Sequence, residues 1–147
     1  MKFMVINGPN LDMLGIREVN IYGGDTYANL IEMITSYAEE KNVSIVPFQS
    51  NIEGEIVNAI HSAYFDGFDG IIINPAAYTH YSIAILDAIK AVNLPCVEVH
   101  ISNINSRDEF RKISYTSQGC IGIIAGFGFF GYKMALDALL NHIQKNS

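Results

Sequence analysis

Short apolar runs rich in β-branched residues alternate along the chain with longer stretches in which apolar residues recur every three or four positions. The short runs predict five strands, at Phe3–Asn7, Ser44–Gln49, Gly70–Asn74, Cys96–His100 and Gly119–Ala125. The longer stretches predict amphipathic helices, with apolar stripes over Leu30–Ala38, Ile56–Tyr64, Ile85–Val92 and Leu136–Ile143. Thr26 and Asn51 have side chains and positions typical of N-caps for the first two helices.

This alternation of strands and helices predicts an α/β fold. Parallel strands need crossover connections, and right-handed crossovers place helices on both faces of the sheet. We predict a flavodoxin-like, five-stranded parallel sheet in the order 2-1-3-4-5. No linker, repeat or low-complexity segment divides the 147 residues, so residues 1–147 are predicted to form one domain.

Composition narrows the partners and the location. Nine Lys and Arg against fifteen Asp and Glu give a net charge of −6, and the absence of a basic run argues against nucleic acid or an anionic membrane surface as a partner. No apolar run approaches the roughly 18 residues of a membrane span, and the first one is too short for a signal peptide. We therefore expect a cytoplasmic protein without a membrane partner. Cys96 and Cys120 fall in predicted strands, and we interpret them as free buried thiols.

Polar or glycine-rich segments follow every predicted strand. They are Asn7–Asn10, Gln49–Asn51, Asn74–His80, His100–Asn103 and Gly126–Gly128. Ligands of open α/β sheets bind outside the carboxyl ends of the strands. A binding or catalytic site is therefore predicted at this edge.

The fourth predicted strand carries two ionisable residues where apolar ones are expected. Alternation places Glu98 and His100 on the same face. A buried carboxylate costs several kcal/mol unless it has a partner, and a histidine beside it can donate a hydrogen bond, have its tautomer fixed and be favoured as an imidazolium. We predict that His100 is a general acid oriented by Glu98. The alternative is a structural His–Glu pair at the end of a strand.

The first loop is a second candidate region. It runs from Gly8 to about Asp25, whereas roughly 2–6 residues are usual for such a connection, and long loops of this kind are often lids. It contains Arg17 and Tyr22. A tyrosine, whose pKa is ordinarily about 10, becomes a useful base only when a cation stabilises its phenolate. Arg17 can supply that cation; the alternative is a solvated arginine and a tyrosine that packs the lid.

Other polar residues have two interpretations each. Arg111 can bind a substrate carboxylate or pair with Asp108 on its own helix. His80 can contact a ligand or be structural. Gly126–Gly131 fits the G-x-G-x-x-G pattern but lacks the acidic residue expected about 20 positions later, so we interpret it as a tight turn. Glu98 and His100 lack a third ligand at metal-site spacing.

Taken together, the candidate residues described so far indicate a cofactor-free acid–base enzyme for a small anion. The alternative is a non-catalytic flavodoxin-like module that binds a small anion or FMN.

Several short blocks follow one another in a fixed order. They are Ile6–Gly15 with Arg17 and Tyr22, Phe48–Asn51 with Glu53–Glu55, Ile73–His80, Glu98–Asn103 with Arg107–Arg111, and Gly131–Tyr132. Together they resemble the signature of the type II dehydroquinases, over essentially the whole chain. Three positions depart from the family pattern: Val19 stands where Pro is frequent, Ile52 where His is frequent, and Tyr81 where Thr is usual. We expect Val19 to make the lid less rigid and Tyr81 to narrow the site.

The resemblance implies a hydro-lyase of the shikimate pathway. Such an enzyme eliminates water from 3-dehydroquinate through an enolate and gives 3-dehydroshikimate, with no cofactor and no metal. By resemblance, Tyr22 is the general base beside Arg17, and Asn10 helps to hold a water that stabilises the enolate oxygen. His100 is the general acid, oriented by Glu98.

The same resemblance implies how substrate is held and how chains assemble. The substrate's hydroxyls and carboxylate would be bound by Asn74, His80, the backbone of Ile101 and Ser102, and Arg111. Asp87 would reach the site from a neighbouring subunit. The family assembles as a homododecamer built from trimers, so the expected partners are the substrate and further copies of this chain.

Overall fold

The computed structural model describes residues 1–16 and 25–147. Within them, five parallel strands form one sheet in the order β2-β1-β3-β4-β5, so the predicted flavodoxin-like topology is confirmed. The strands are β1 Lys2–Asn7, β2 Ser44–Gln49, β3 Gly70–Asn74, β4 Cys96–His100 and β5 Gly122–Ala125. The prediction that the last strand starts at Gly119 was wrong, because Thr116–Gly119 forms a 3-10 turn and pairing with β4 begins only at Gly122.

Helices cover both faces of the sheet. They are α1 Tyr27–Glu40, α2 Glu53–Phe65, α3 Ile83–Val92 and α4 Phe130–Lys145. On one face, α1 and α4 pack against Phe3, Val5, Ile72, Val97 and Val99. On the other, α2 and α3 pack against Met4, Ile6, Ile71, Ile73 and Cys96. The continuous apolar strands of the sequence are thus explained by burial on two sides.

The two predicted N-caps have different outcomes. Thr26 caps α1, because its hydroxyl accepts a hydrogen bond from the Asn29 backbone at 3.2 Å. Asn51 does not cap α2. The residue at the cap position is Ile52, whose N–H donates to the Ser50 hydroxyl at 3.0 Å. The prediction for Asn51 was wrong because its amide oxygen accepts instead from the Asn10 N–H, at 2.9 Å.

The strand ends that form the site are held in register by β1. Asn7 pairs with Gln49 of β2 on one side and with Asn74 of β3 on the other. The Gly8 N–H then donates to the Asn74 carbonyl at 2.8 Å. At Gly8 a Cβ would stand 2.5 Å from the Pro75 carbonyl oxygen, so only glycine allows the first loop and the loop after β3 to approach this closely.

The two cysteines lie in different surroundings. Cys96 is buried in β4, whereas Cys120 is half-buried in the segment before β5, and both are free. The prediction that Cys120 lies in a strand was wrong, because the pairing of β5 starts later.

The predicted turn after β5 includes Gly126 and Gly128, with φ angles of 97° and 59°, in the region that favours glycine. No helix among the described residues is long and apolar enough to cross a membrane.

Candidate active site

A pocket opens at the carboxyl ends of β1, β3 and β4, where the strand order changes direction. This is the position at which sheets of this type bind ligands. The predicted site residues that line it are Asn10, Asn74, His80, His100, Ile101, Ser102 and Arg111. The structure therefore brings together residues as far apart in sequence as Asn10 and Arg111.

Glu98 and His100 form a buried pair at the base of this pocket. Glu98 is 0% and His100 5% exposed, and His100 Nε2 lies 2.8 Å from Glu98 Oε2. In this bond the ring N–H donates to the carboxylate, so Nδ1 is the nitrogen that can exchange a proton with a bound molecule. The alternation along β4 predicted this pairing, although it did not predict what else surrounds the carboxylate.

Three hydroxyls complete the surroundings of Glu98. Its Oε2 accepts from Ser114 at 2.6 Å and from Thr79 at 3.0 Å, and its Oε1 accepts from Thr116. Burial by itself raises the pKa of Glu98, but the hydrogen bond and charge of His100 and the hydroxyls of Ser114 and Thr116 outweigh it and lower the pKa below the ordinary carboxyl value. None of the three hydroxyls was predicted from sequence; the only signal is the hydroxyl-rich run 114–117.

The end of β2 fixes the first loop. Asn10 has a left-handed backbone, with φ 68°, and its N–H donates to the Asn51 amide oxygen at 2.9 Å. The Gln49 amide donates to the Gly8 carbonyl at 3.2 Å, and the Tyr78 hydroxyl donates to the Asn51 carbonyl at 2.8 Å. The amides of the second sequence block therefore hold the Asn10 backbone against the pocket.

Asn74 is held by a buried tyrosine that sequence reasoning missed. The Asn74 amide donates to the Tyr132 hydroxyl at 3.0 Å, and that hydroxyl donates to Asn7 Oδ1 at 2.6 Å. Asn74 Oδ1 accepts from the Ala76 N–H at 3.1 Å. Burial raises the pKa of Tyr132 well above its usual value, so it stays neutral and can donate and accept at once.

His80 and Arg111 also line the pocket. His80 Nδ1 is 2.8 Å from the Ile113 carbonyl and donates to it, which leaves Nε2 as an acceptor. Burial, together with the charges of His100, Arg111 and Arg107, lowers the pKa of His80 despite the hydrogen bond to Ile113. His80 is therefore neutral at pH 7 and suited to accept a hydrogen bond from a ligand hydroxyl.

Arg111 belongs to a 3-10 turn, Glu109–Arg111, and not to the helix assumed in the sequence analysis. Its Nε is 3.7 Å from an exposed Asp108 carboxylate, a distance too long for a hydrogen bond. Among the described residues this buried Nε has no hydrogen-bond partner. The guanidinium stacks over the Phe110 ring, with its carbon 4.9 Å from the ring centroid, and lines the pocket. Because the Arg111 guanidinium is only weakly paired with Asp108, it is suited to bind the carboxylate of a ligand.

The remaining residues of the sequence analysis have separate outcomes. Arg17 and Tyr22, like Val19, lie outside the described residues. Asp87 is exposed on α3 and does not line the pocket. Tyr81 is exposed, packs edge-on against Tyr78 with ring centroids 5.6 Å apart, and does not line the pocket either, contrary to the expectation that it narrows the site.

Comparisons with known proteins agree with one another. The family model described as dehydroquinase class II matches residues 1–140. A 3-dehydroquinate dehydratase of Clostridium perfringens is 60% identical, over 98% of this chain and 99% of the relative. One from Fusobacterium nucleatum is 56% identical, over 99% of this chain and 100% of the relative. The crystal structure of a type II dehydroquinase from Butyrivibrio crossotus is 55% identical and superposes with a TM-score of 0.94, over 95% of this chain and 97% of that one.

Proposed function

The chain belongs to the class II dehydroquinase family, and we propose from its pocket how it carries out the elimination of water. It is a 3-dehydroquinate dehydratase, a hydro-lyase of the shikimate pathway that converts 3-dehydroquinate into 3-dehydroshikimate. The alternative of a non-catalytic module that binds a small anion or FMN is not favoured by these relatives. The observation that supports the proposed chemistry best is the buried Glu98–His100 pair facing a pocket of neutral and cationic ligand-binding side chains.

His100 acts as the general acid in this proposal. Its Nε2–H is held by the Glu98 carboxylate at 2.8 Å, which stabilises the imidazolium and leaves Nδ1–H to protonate the departing hydroxyl. The protonated hydroxyl leaves as water. Glu98 does not touch the substrate and acts through His100.

Tyr22 is the proposed general base. As a phenolate, it removes the proton α to the ketone, and the enolate that results expels the hydroxyl protonated by His100. Arg17 stabilises the phenolate, and Asn10 holds the water that stabilises the enolate oxygen. Tyr22 and Arg17 are assigned from the resemblance of their sequence block, whereas Asn10 is additionally supported by its place in the pocket wall. No cofactor or metal takes part.

The substrate is proposed to bind through five residues of the pocket. The Asn74 amide and His80 contact its hydroxyls. Arg111 and the backbone of Ile101 and Ser102 contact its carboxylate and nearby oxygens. All five line the pocket. The Nε of Arg111, which has no hydrogen-bond partner among the described residues, supports its role as the anion-binding group.

We also propose that residues 1–147 are one catalytic domain and that chains assemble as cytoplasmic homododecamers built from trimers, with Asp87 completing the site of a neighbour. Support comes from large apolar side chains that are exposed, such as Ile83 on α3, and Phe110 and Ile113 close to Arg111 in sequence. An exposed Asp87, one turn after Ile83 on α3, fits a group that acts across an interface.

The function is tested by adding 3-dehydroquinate to the purified protein and following the ultraviolet absorbance of the conjugated enone product. Tyr22→Phe is expected to lower kcat by about 10²–10⁴, the usual cost of losing a general base. Tyr64→Phe is the control, because Tyr64 is 57% exposed on α2. A Tyr22→Phe protein with nearly normal kcat would show that another group takes the proton. A wild-type protein that forms no enone would overturn the proposal.

A further inference from the structure

The carboxylate of Glu98 has more hydrogen-bond donors than its pairing with His100 requires. Thr79 comes from the turn after β3, whereas Ser114 and Thr116 come from the segment before β5. Glu98, Thr79 and Thr116 are each 0% exposed. We name these three hydroxyls the hydroxyl cage. Thr79 and Ser114 contact Oε2, the oxygen that also accepts from His100, and Thr116 contacts Oε1.

The cage supplies donors to both oxygens of the carboxylate. An ionised carboxylate offers about four lone-pair sites over its two oxygens; here three donors lie near Oε2 and one near Oε1. Thr79 also lies 2.6 Å from the Ser114 hydroxyl and 2.8 Å from that of Thr116. The single hydroxyl proton of Thr79 can point to Glu98, Ser114 or Thr116. Ser114 and Thr116 are therefore the main hydroxyl donors to Glu98.

The cage decides which member of the pair carries their shared proton. Without donors, burial favours a neutral carboxylic acid over a carboxylate. A neutral Glu98 would donate its proton to His100 Nε2 and leave a neutral imidazole, whose Nδ1–H is a very weak acid. The cationic side chains of Arg107 and Arg111 line the same pocket as His100. Among the described residues, His80 interacts electrostatically with His100, and the thiol of Cys96, two positions before Glu98 on β4, interacts with Glu98.

We propose that Thr79, Ser114 and Thr116 are positioning residues that keep Glu98 ionised and thereby keep the acid proton on His100. The inference rests on the proposed role of His100, and it adds a requirement of its own. None of the three residues lines the pocket, so we expect their removal to act on the position of a proton and not on substrate contacts.

Infrared difference spectroscopy tests the proposal directly. Each protein is compared at pH 7, without substrate, with the same protein carrying Glu98→Gln, so that the difference isolates the Glu98 side chain. The wild type is expected to show a carboxylate. Thr116→Val, which removes the hydroxyl and keeps the shape, is expected to show a carboxylic acid band and a kcat lowered about tenfold or more, since a hydrogen bond to a charged group is lost. KM should change much less.

Two further variants keep the test decisive. Thr116→Ser restores the hydroxyl and is expected to return both the spectrum and kcat to wild-type values. If Thr116→Val does not fold, Ser114→Ala carries the same expectation. A neutral Glu98 in the wild type, or a carboxylate with normal kcat in Thr116→Val, would overturn the proposal. Because the spectra need no substrate, they judge the cage even if the wild type lacked dehydratase activity.

Discussion

A single hydroxyl, that of Tyr132, links two buried amides below the pocket. It donates to Asn7 and accepts from Asn74, and all three residues are buried. A phenolate would not donate, so the network requires the neutral form, which burial secures by raising the pKa of Tyr132. The amide of Asn74 is thereby fixed before substrate arrives, which avoids an ordering cost on binding.

Tyr132→Phe removes this hydroxyl and keeps the ring. The Asn7 oxygen loses its donor and the Asn74 amide its acceptor, so the free energy of unfolding is expected to fall by about 1–3 kcal/mol. KM should rise because the Asn74 amide is no longer held. Thermal unfolding and steady-state kinetics check both effects. The exposed Tyr64→Phe serves as the control and should stay within about 0.5 kcal/mol of the wild type; equal stabilities for the two variants would refute the role of the network.

At the scale of elements, the site depends on how closely the loop after β1 approaches the loop after β3. Gly8 donates its N–H to Asn74 and leaves no room for a side chain next to Pro75. The same contact places Asn10 and Asn74 on the wall of one pocket. A shift of either loop would therefore separate Asn10, which is proposed to hold the water at the enolate oxygen, from Asn74, which is proposed to bind the substrate.

Gly8→Ala is expected to be strongly destabilising. Its Cβ would lie 2.5 Å from the Pro75 carbonyl oxygen and 2.7 Å from the carbonyl carbon, so the backbone must move, at a cost of about 1–3 kcal/mol or more. Chemical denaturation measures this cost, and kcat/KM should fall with it. Gly54→Ala is the matched control: nothing lies within 4 Å of its Cβ, and alanine favours α2 by up to about 1 kcal/mol. Similar losses in both variants would rule out the close contact as the cause.

The sequence predicted elements better than their ends, for physical reasons. The strands of the sheet interior are continuous apolar runs because both faces are covered, and the helical stripes follow from one-sided burial. The start of β5 was misplaced because the apolar pattern continues into a turn that does not pair with β4. Asn51 was taken for a cap because its type and position suit one, whereas a tertiary contact with Asn10 uses its side chain.

In the site, contacts between residues close in sequence could be predicted and contacts between distant residues could not. Glu98 and His100 could be paired from sequence because they are two positions apart on one strand. The hydroxyl cage could not be predicted in this way, because Thr79 and Thr116 come together only in the folded chain, when the turn before β5 packs next to the turn after β3. Tyr132 likewise reaches Asn7 across 125 positions. No local pattern reports such distant contacts.

For the whole molecule, the surface indicates partners. β5 lies at one edge of the sheet, and Ile123, Phe127 and Phe130, on or just after it, are exposed. On α3, Ile83 is exposed one turn before Asp87. Single exposed apolar residues are ordinary, but an edge strand and clustered large side chains favour association. A charged residue next to such a surface can act at the site of another subunit.

The last prediction tests whether Asp87 acts across a subunit boundary. Asp87→Ala is expected to lower kcat/KM by about tenfold or more, because a charge-assisted hydrogen bond is lost, without lowering the thermal unfolding temperature. Glu39→Ala, which removes an exposed acid on α1, should leave activity unchanged.

A mixing experiment then tests the subunit boundary itself. Asp87→Ala and Tyr22→Phe chains are unfolded together in equal amounts and refolded as a mixture. If Tyr22 of one chain works with Asp87 of the next, about one site in four regains both groups in a random cyclic assembly, and activity rises to roughly that fraction of the wild type. Native mass spectrometry shows whether mixed oligomers form. Mixed oligomers as inactive as their parents would mean that Asp87 does not complete a neighbouring site, and that its effect, if any, is confined to its own chain.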